Sequence, residues 1–187
     1  MAKTQADKRA RLIETAMTLA YQHGFRDTSL ADIAEAAHVP LGNVYYYFKT
    51  KDELGEAVVE QRLAEFRAFR EELDRLSSPK ERLFAFVESI HRNREQLARG
   101  GCPLGGLCLE LHKEAGALAK KSAALYSVPM IWLEEQFRAL GREKDSRQLA
   151  IHFFTAFQGM AAVALGANDR EVVVMEAKRL KDWIGTL

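Results

Sequence analysis

The sequence predicts an all-α protein with an N-terminal helix-turn-helix domain and a larger C-terminal helical domain. Apolar residues recur at helical spacing along most of its 187 residues, and proline occurs only four times. Hydrophobic residues make up 48% and charged residues 28%, as in an ordinary soluble globular protein. The length allows one domain or two small ones. We predict two domains, over residues 1–51 and 52–187.

The first predicted helix spans residues 7–23. Gly24 follows it as a C-cap glycine would, and Phe25 then enters the core of the small domain. The first eleven residues carry four basic side chains against one acidic side chain, and they fit either an arm near nucleic-acid phosphates or a solvated terminus. The buried stripe of the helix comprises Leu12, Ile13, Ala16, Leu19 and Ala20. The basic residues are Lys3, Lys8, Arg9 and Arg11.

Residues 28–51 predict two short helices joined by a tight turn. Ser29 is a good N-cap for the first helix, and Asp32 three residues later is close to a capping-box pattern. The turn lies at about residues 38–39, and Pro40 is tolerated in the first turn of the second helix. The stripe of the first helix comprises Leu30, Ile33, Ala34 and Ala37.

The outward face of the second short helix favours DNA. Val44 and Phe48 lie four residues apart and face inward, which leaves Gly42, Asn43 and the tyrosines on other faces. No aspartate or glutamate occurs from residue 40 to residue 51. Small residues let the backbone approach base edges, while hydroxyl and ammonium groups fix phosphates. The alternative is that the tyrosines cap a small core and that the pair is a plain packing motif.

A more specific pattern extends over the first fifty or so residues. It comprises Ile13, Ala16, Gly24, Phe25, Thr28, Ser29, Leu30, Asp32, Ile33, Ala34, Ala37, Val39, Gly42, Val44, Tyr45, Tyr47, Phe48, Lys49, Thr50 and Lys51, followed by Asp52, Glu53 and Leu54. This pattern resembles the DNA-binding domain of the tetracycline-repressor (TetR) family of bacterial regulators. The chain departs from it at His38, where the turn usually has glycine, and at Pro40 and Leu41, where polar residues are common. Leu41 therefore touches a thymine methyl group or simply packs.

The resemblance implies which residues contact DNA. Asn43 is the candidate for a base edge, because an amide pairs with adenine through two hydrogen bonds. Tyr45, Tyr46 and Lys51 are candidates for phosphates, while Tyr47 is either a contact or partly buried beside Val44. The predicted DNA contacts are Thr28, Ser29, Leu41, Gly42, Asn43, Tyr45, Tyr46, Tyr47, Lys49 and Lys51.

Six more helices are predicted in the rest of the chain. The first is about 37 Å long at about 1.5 Å per residue, which suits a lever between two domains. Pro129 should kink or break the fourth, because proline removes a hydrogen bond and clashes with the preceding turn. Four glycines within residues 100–106 mark a turn, and no Lys-Ser/Thr follows them as a phosphate-binding loop requires. The predicted bounds are 51–76, 79–99, 103–112, 115–140, 145–165 and 170–184.

The last two predicted helices mix large and small residues, which favours close packing against another helix. The resemblance implies that they form a four-helix bundle with their copy in a second subunit. From the sequence alone they could equally complete a monomer core. A homodimer also suits palindromic DNA, whose half-sites lie about one helical turn, or a multiple, apart.

The resemblance further implies an effector pocket in the C-terminal domain. Methionine and aromatic side chains suit a small, mostly apolar molecule, although residues at helical spacing also form ordinary cores. The predicted lining comprises Phe86, Leu104, Leu107, Cys108, Leu111, Tyr126, Met130, Phe154, Phe157 and Met160.

Two cysteines are candidates for redox chemistry. Cys102 precedes a proline at a predicted helix start, where the dipole and free N–H groups activate a thiol towards oxidants or electrophiles. Cys108 lies six residues on, about 240° around a helix, so a disulfide between the two within one helix is not expected. An intersubunit disulfide stays possible, and so does the plain alternative of two small buried hydrophobes.

The spacing of residues supports neither a metal site nor an enzyme active site. His91, His112 and His152 are scattered, and no motif for a metal ligand set or a nucleophile occurs, so we expect no metal, no cofactor and no enzyme. No apolar run follows the early basic residues, and the run at 159–167 is too short to span a bilayer. We therefore expect a cytoplasmic protein without a membrane partner.

The sequence thus predicts a DNA-binding transcriptional regulator, a repressor released from a palindromic operator by a small-molecule effector or by thiol modification. The net charge is +1, so affinity for DNA has to come from the local placement of charge. One alternative is an architectural DNA-binding protein, which would show no ligand-induced release. The other is a helical ligand-binding protein with a structural helix-turn-helix, which would show no salt-dependent binding to DNA.

Overall fold

The computed structural model describes residues 2–113 and 116–187, and within these ranges it contains helices and no strand, which confirms the predicted all-α class. The chain forms two compact units. Unit 1 comprises Met1–Ala64 and Gly106–Leu125, and unit 2 comprises Glu65–Gly105 and Tyr126–Leu187. The helices are α1 Ala2–His23, α2 Leu30–Ala36, α3 Leu41–Tyr47, α4 Lys51–Asp74, α5 Pro79–Arg92, α6 Arg94–Gly100, α7 Pro103–His112, α8 Ala117–Ser122, α9 Ala124–Ala139, α10 Ser146–Ala167 and α11 Glu171–Gly185.

The helix ends of unit 1 form as the sequence predicts. Gly24 follows α1 with φ of +90° and donates its N–H to the Ala20 carbonyl. Ser29 caps α2, because its hydroxyl accepts the N–H of Asp32 while the Asp32 carboxylate accepts the N–H of Ser29. These reciprocal bonds complete the capping box and orient α2 for the turn that follows.

Two details of unit 1 differ from the prediction. Helix α1 begins at Ala2 and not at residue 7, so the basic segment belongs to the helix, although the side chain of Lys3 lies outside the part described. Within this segment the Arg9 guanidinium lies 5.2 Å from the centre of the Phe48 ring. Pro40 is the N-cap of α3 and does not lie within its first turn.

The turn between α2 and α3 forces an uncommon backbone conformation on a residue with a side chain. His38 has φ of +52°, in the left-handed region that glycine adopts at least cost. Its N–H donates to the Glu35 carbonyl, and the N–H of Val39 donates to the Ala34 carbonyl. This conformation explains why a glycine is usual at the position.

The second segment of unit 1 packs against the start of α4 around Gly55. A Cβ atom at Gly55 would lie 2.8 Å from a terminal carbon of Leu118 and 2.8 Å from the Phe25 ring, so only glycine admits both. Lys121 donates to Glu60 and Glu56 on α4 at 2.7 and 3.0 Å, and these bonds raise the pKa of its ammonium.

Unit 2 has a large aromatic core. Helix α11 packs against α5 and α10, and α10 also packs against α6. The Phe86 ring packs against the rings of Trp132 and Phe153, at centroid distances of 5.8 and 5.3 Å. The buried indole of Trp132 donates its N–H to the Asp74 carboxylate at 3.0 Å, so this polar group is satisfied inside the core.

Two of the predicted helices are interrupted. The predicted helix at 79–99 divides at Asn93, where φ of −91° and ψ of 15° leave the helical region and the side-chain amide donates to the Ser89 carbonyl. The helix predicted at 115–140 is interrupted at Ala123, just after Ser122 bonds its hydroxyl to the Ala119 carbonyl. The sequence predicts that Pro129 kinks or breaks the helix; a break is wrong, because α9 continues through that residue, and a kink stays a prediction. Residue 115 lies outside the described part.

Helix α10 presents a stripe of small and apolar residues to the surface. Its 22 residues are long and apolar enough to cross a membrane by length and composition alone, a test that core helices of water-soluble proteins also pass. A Cβ atom added at Gly159 or Gly166 would meet no atom within 4 Å. The stripe, called the α10 face below, comprises Thr155, Gly159, Ala162, Val163 and Gly166.

Candidate DNA-contact surface and effector cavity

Helix α3 of unit 1 is anchored by two buried residues and exposes the rest. Val44 and Phe48 are buried, which confirms the predicted inward face. Tyr45 is 48% exposed and Tyr46 is 65% exposed, an unusual state for such large rings. The exposed residues of α3 are Leu41, Gly42, Asn43, Tyr45 and Tyr46.

Three other predicted DNA contacts are engaged within the protein. Thr28 is only 4% exposed, and its hydroxyl donates to the Gly24 carbonyl at 2.8 Å. Ser29 uses its hydroxyl in the capping box described above. Tyr47 is half-buried, with its ring perpendicular to that of Tyr46 at a centroid distance of 5.1 Å. The contact with DNA stays a prediction for all three, and the fold gives Thr28 a structural role of its own.

Both predicted lysine contacts also bond to the backbone. The Lys49 ammonium donates to the Tyr45 carbonyl at 2.8 Å, at the end of α3. The Lys51 ammonium donates to the Arg26 carbonyl at 2.7 Å and lies 5.1 Å from the centre of the Phe25 ring. An ammonium group has three donors, so each lysine retains N–H groups for a phosphate.

Unit 2 contains a cavity of about 170 Å³. Five phenylalanines dominate its wall, and the polar atoms come from amide, hydroxyl and thiol groups. No residue that carries a charge lines it within the described part of the chain. Its lining comprises Phe66, Phe69, Phe86, Ser89, Ile90, Asn93, Gln96, Leu97, Cys102, Pro103, Leu104, Pro129, Phe154, Phe157 and Gln158.

The cavity includes part of the predicted lining. Phe86, Leu104, Phe154 and Phe157 contribute to it, as does Cys102, which the sequence singled out for its thiol. Tyr126, Met130 and Met160 belong to the packed core of unit 2 and do not line the cavity. The remaining predicted residues belong to unit 1 and are Leu107, Cys108 and Leu111.

Sequence reasoning missed the polar residues of this wall. Asn93 lies at the end of α5, and Gln158 is one polar residue among others of α10, so the sequence marks neither as a cavity residue. Ser89 and Gln96 likewise carry no motif. Phe66 and Phe69 belong to the apolar stripe of α4, and helical spacing does not distinguish a cavity wall from a core.

Cys102 is the most constrained group of the cavity. Its side chain is 7% exposed, and its Sγ atom accepts the N–H of Gly105 at 3.3 Å and the side-chain amide of Gln158 at 3.4 Å. Gly105 is the third residue of α7, so the sulfur occupies the N-cap position predicted for it. A Cβ atom at Gly105 would lie 2.2 Å from Gln158 Oε1, so a larger residue there would displace the amide that bonds to the sulfur.

Cys108 has a different environment. It is buried in unit 1, and burial raises the pKa of its thiol. Both thiols are free, and no group of three or more potential metal ligands occurs among the residues described.

Comparison with known proteins shows that the chain is similar to bacterial transcriptional regulators. A family model described as bacterial regulatory proteins, tetR family, matches residues 12–58. The HTH-type transcriptional repressor NemR of Escherichia coli (strain K12) is 27% identical over 173 residues, which span 88% of this chain and 84% of NemR. The HTH-type transcriptional regulator RutR of the same strain is 34% identical over 129 residues, which span 63% of this chain and 59% of RutR.

A solved structure extends the likeness to the fold. The crystal structure of the reduced form of E. coli NemR matches with a TM-score of 0.80, over 94% of this chain and 96% of that chain. The sequence identity in this comparison is 21%, so the likeness concerns the fold.

Proposed function

Because this chain belongs to the TetR family of bacterial regulatory proteins and is thus a DNA-binding transcriptional regulator, we propose that it is a homodimeric repressor that an effector in the unit 2 cavity releases from a palindromic operator. Release follows if the effector binds more tightly to a conformer that does not fit DNA, since a ligand shifts an equilibrium only by its differential affinity. We assign it no catalytic reaction and no cofactor, and we place it in the cytoplasm.

The observation that carries the proposal is the exposed face of α3. Two aromatic rings, an amide and a glycine face solvent on a helix that Val44 and Phe48 fix from beneath. Such a helix suits the major groove, where Asn43 reads a base edge and Tyr45, Tyr46 and the lysines bind phosphates. Leu41 is exposed and offers no hydrogen bond, so its contact is with a thymine methyl group.

The homodimer is supported by the α10 face. Five small or β-branched residues form an open stripe on a long helix, and small residues permit two helices to approach closely. TetR family regulators form dimers, and a two-fold dimer presents two α3 helices to successive half-sites of a palindrome.

The effector class follows from the cavity wall. A cavity of about 170 Å³ with an aromatic wall suits a neutral, mostly apolar molecule, since a cavity of about 150 Å³ accepts benzene. The absence of charge among the described lining residues disfavours an ionised effector, which would lose its hydration without a partner. Amide and hydroxyl groups remain to orient one polar substituent.

Thiol modification is the second proposed route of release, and it concerns Cys102. Two N–H groups point at its sulfur and hold it at the wall of the cavity, where an electrophile that enters would meet it. Cys108 is the weaker candidate, because burial raises the pKa of its thiol.

An electrophoretic retardation assay on the DNA upstream of the chain's own gene tests the DNA-binding half of the proposal. Tyr46→Ala should abolish the specific shift or weaken it by about tenfold or more, because it removes an exposed contact and no core packing. Lys144→Ala, at an exposed position between α9 and α10, is the surface control, and it should bind as the wild type does. A Tyr46→Ala variant with wild-type affinity would count against the α3 surface.

The same assay separates the two routes of release. Treatment with a mild electrophile should abolish the shift in the wild type and in Cys108→Ser, and leave it in Cys102→Ser. If the shift survives treatment in every variant, release does not occur through a thiol, and the effector is a non-covalent apolar molecule. If no small molecule releases the protein from DNA or raises its melting temperature, this result supports the alternative of an architectural DNA-binding protein.

A further inference from the structure

Glu110 lies on α7, outside the helix-turn-helix, yet it binds the turn between α1 and α2. Its Oε2 atom accepts the N–H of Phe25 at 2.9 Å, and its Oε1 atom accepts the N–H of Arg26. One carboxylate thus holds two consecutive peptide groups that are 85 and 84 residues away in the sequence. Hydrogen bonds to an ionised acceptor are roughly twice as strong as neutral ones, so this contact restrains the turn firmly.

The turn is shaped to admit the carboxylate. Gly24 has φ of +90°, and a Cβ atom there would lie 3.2 Å from Glu110 Oε1. Glycine therefore serves both the left-handed backbone and the close approach of the carboxylate. The Thr28 hydroxyl closes the same turn by donating to the Gly24 carbonyl.

Lys51 also binds the backbone of Arg26. The carbonyl of Arg26 accepts from the Lys51 ammonium at 2.7 Å, while its N–H donates to Glu110. The backbone of Arg26 therefore connects the Glu110 carboxylate to Lys51, the first residue of α4, which begins four residues after the end of α3. Two N–H groups of that ammonium remain for a phosphate.

We propose that Glu110 is a positioning residue for operator binding, which fixes the α1–α2 turn and thereby places the Lys51 ammonium at a DNA phosphate. The inference rests on the DNA-contact surface proposed above, of which Lys51 is a member. The fold of unit 1 does not depend on Glu110 alone, because Leu118 packs at Gly55 and Lys121 bonds to α4.

The dependence of operator affinity on salt tests this role. Each phosphate contact contributes about 0.9 to the slope of log K against log salt concentration, so Glu110→Ala should flatten the slope by about one for each protomer. At about 0.1 M salt the same loss weakens binding about eightfold for each contact. A variant that merely folds less well lowers the affinity without changing the slope.

The measurement uses the full-length dimer and an operator first located by footprinting with the wild type. Glu110→Gln is the second variant, since it replaces one accepting oxygen by a donor and should flatten the slope in the same direction. Glu56→Ala is the matched control, because it removes a unit 1 carboxylate that does not touch the turn while Lys121 keeps Glu60. Its slope should equal that of the wild type.

The outcomes separate this inference from the proposed function. A wild-type slope in both Glu110 variants overturns the positioning role, whether or not the affinity falls. A flattened slope in Glu56→Ala also overturns it, because the effect is then not specific to the turn. A wild-type protein that binds no specific DNA overturns the proposed function itself, together with this inference.

Discussion

Replacing Gly159 by leucine should separate the folding of a protomer from its dimerisation. Gly159 lies in the middle of α10, and a Cβ atom there meets nothing within 4 Å in the protomer. The residue belongs to the α10 face, which we propose packs against its copy in the second subunit. A leucine at this position is therefore harmless to the protomer and obstructs the interface.

The two effects have opposite signs. Leucine is favoured over glycine in a helix interior by about 0.8 kcal/mol, so the protomer gains stability. In a two-fold dimer the extra side chain occurs twice, and each overpacked copy costs about 1–3 kcal/mol. The total of about 2–6 kcal/mol raises the dimer Kd by about 30-fold to 10⁴-fold.

Analytical ultracentrifugation over a range of concentrations measures the Kd, and far-ultraviolet circular dichroism measures the helix content. We expect Gly159→Leu to be a helical monomer at concentrations where the wild type is a dimer, and to lose specific DNA binding. Gly106→Leu is the control, because Gly106 is an exposed helical glycine on α7 with equal space for a Cβ atom. A Gly159→Leu dimer with the wild-type Kd would refute the interface.

Two further predictions concern the helix-turn-helix. His38→Gly should raise the free energy of unfolding by about 1 kcal/mol, because φ of +52° strains any residue with a Cβ atom; an unchanged or lower midpoint in urea denaturation would contradict this. Hydrogen bonds from the hydroxyl and then the N–H of Ser29 hold the pKa of Asp32 below its ordinary value. A lowered pKa in the folded state stabilises the protein above the unfolded pKa, and this stability is lost as the pH falls through the folded value. The stability difference between wild type and Asp32→Asn, measured by urea denaturation, should therefore be full at neutral pH and vanish in acid; a difference independent of pH would contradict the capping role.

The local elements of unit 1 could be predicted because each depends on neighbouring residues. The capping box of Ser29 and Asp32, the glycine after α1 and the inward pair Val44 and Phe48 are all set within a few residues of sequence. The structure has them where the sequence places them. Helix interruptions were harder, because the breaks at Asn93 and Ala123 depend on side chains that bond to the backbone.

The contacts that join distant parts of the chain could not be predicted in the same way. Glu110 resembles any charged residue on a helix, and its partners are peptide groups that carry no side-chain signal. The cavity has the same character, since apolar spacing describes Phe66 and Phe69 equally well as core or as wall. Only the three-dimensional arrangement brings Gln158 to the sulfur of Cys102.

The bonds that join Arg26 to Glu110 and to Lys51 use its peptide groups, and this has a consequence for how the protein varies. Nineteen of the twenty amino acids carry the same N–H group at this position, so most substitutions would leave both the Glu110 and the Lys51 bonds in place. Proline is the exception, since it has no N–H to donate. Alanine at residue 26 would therefore keep the connection between Glu110 and Lys51, because that connection runs through peptide groups that every amino acid except proline supplies.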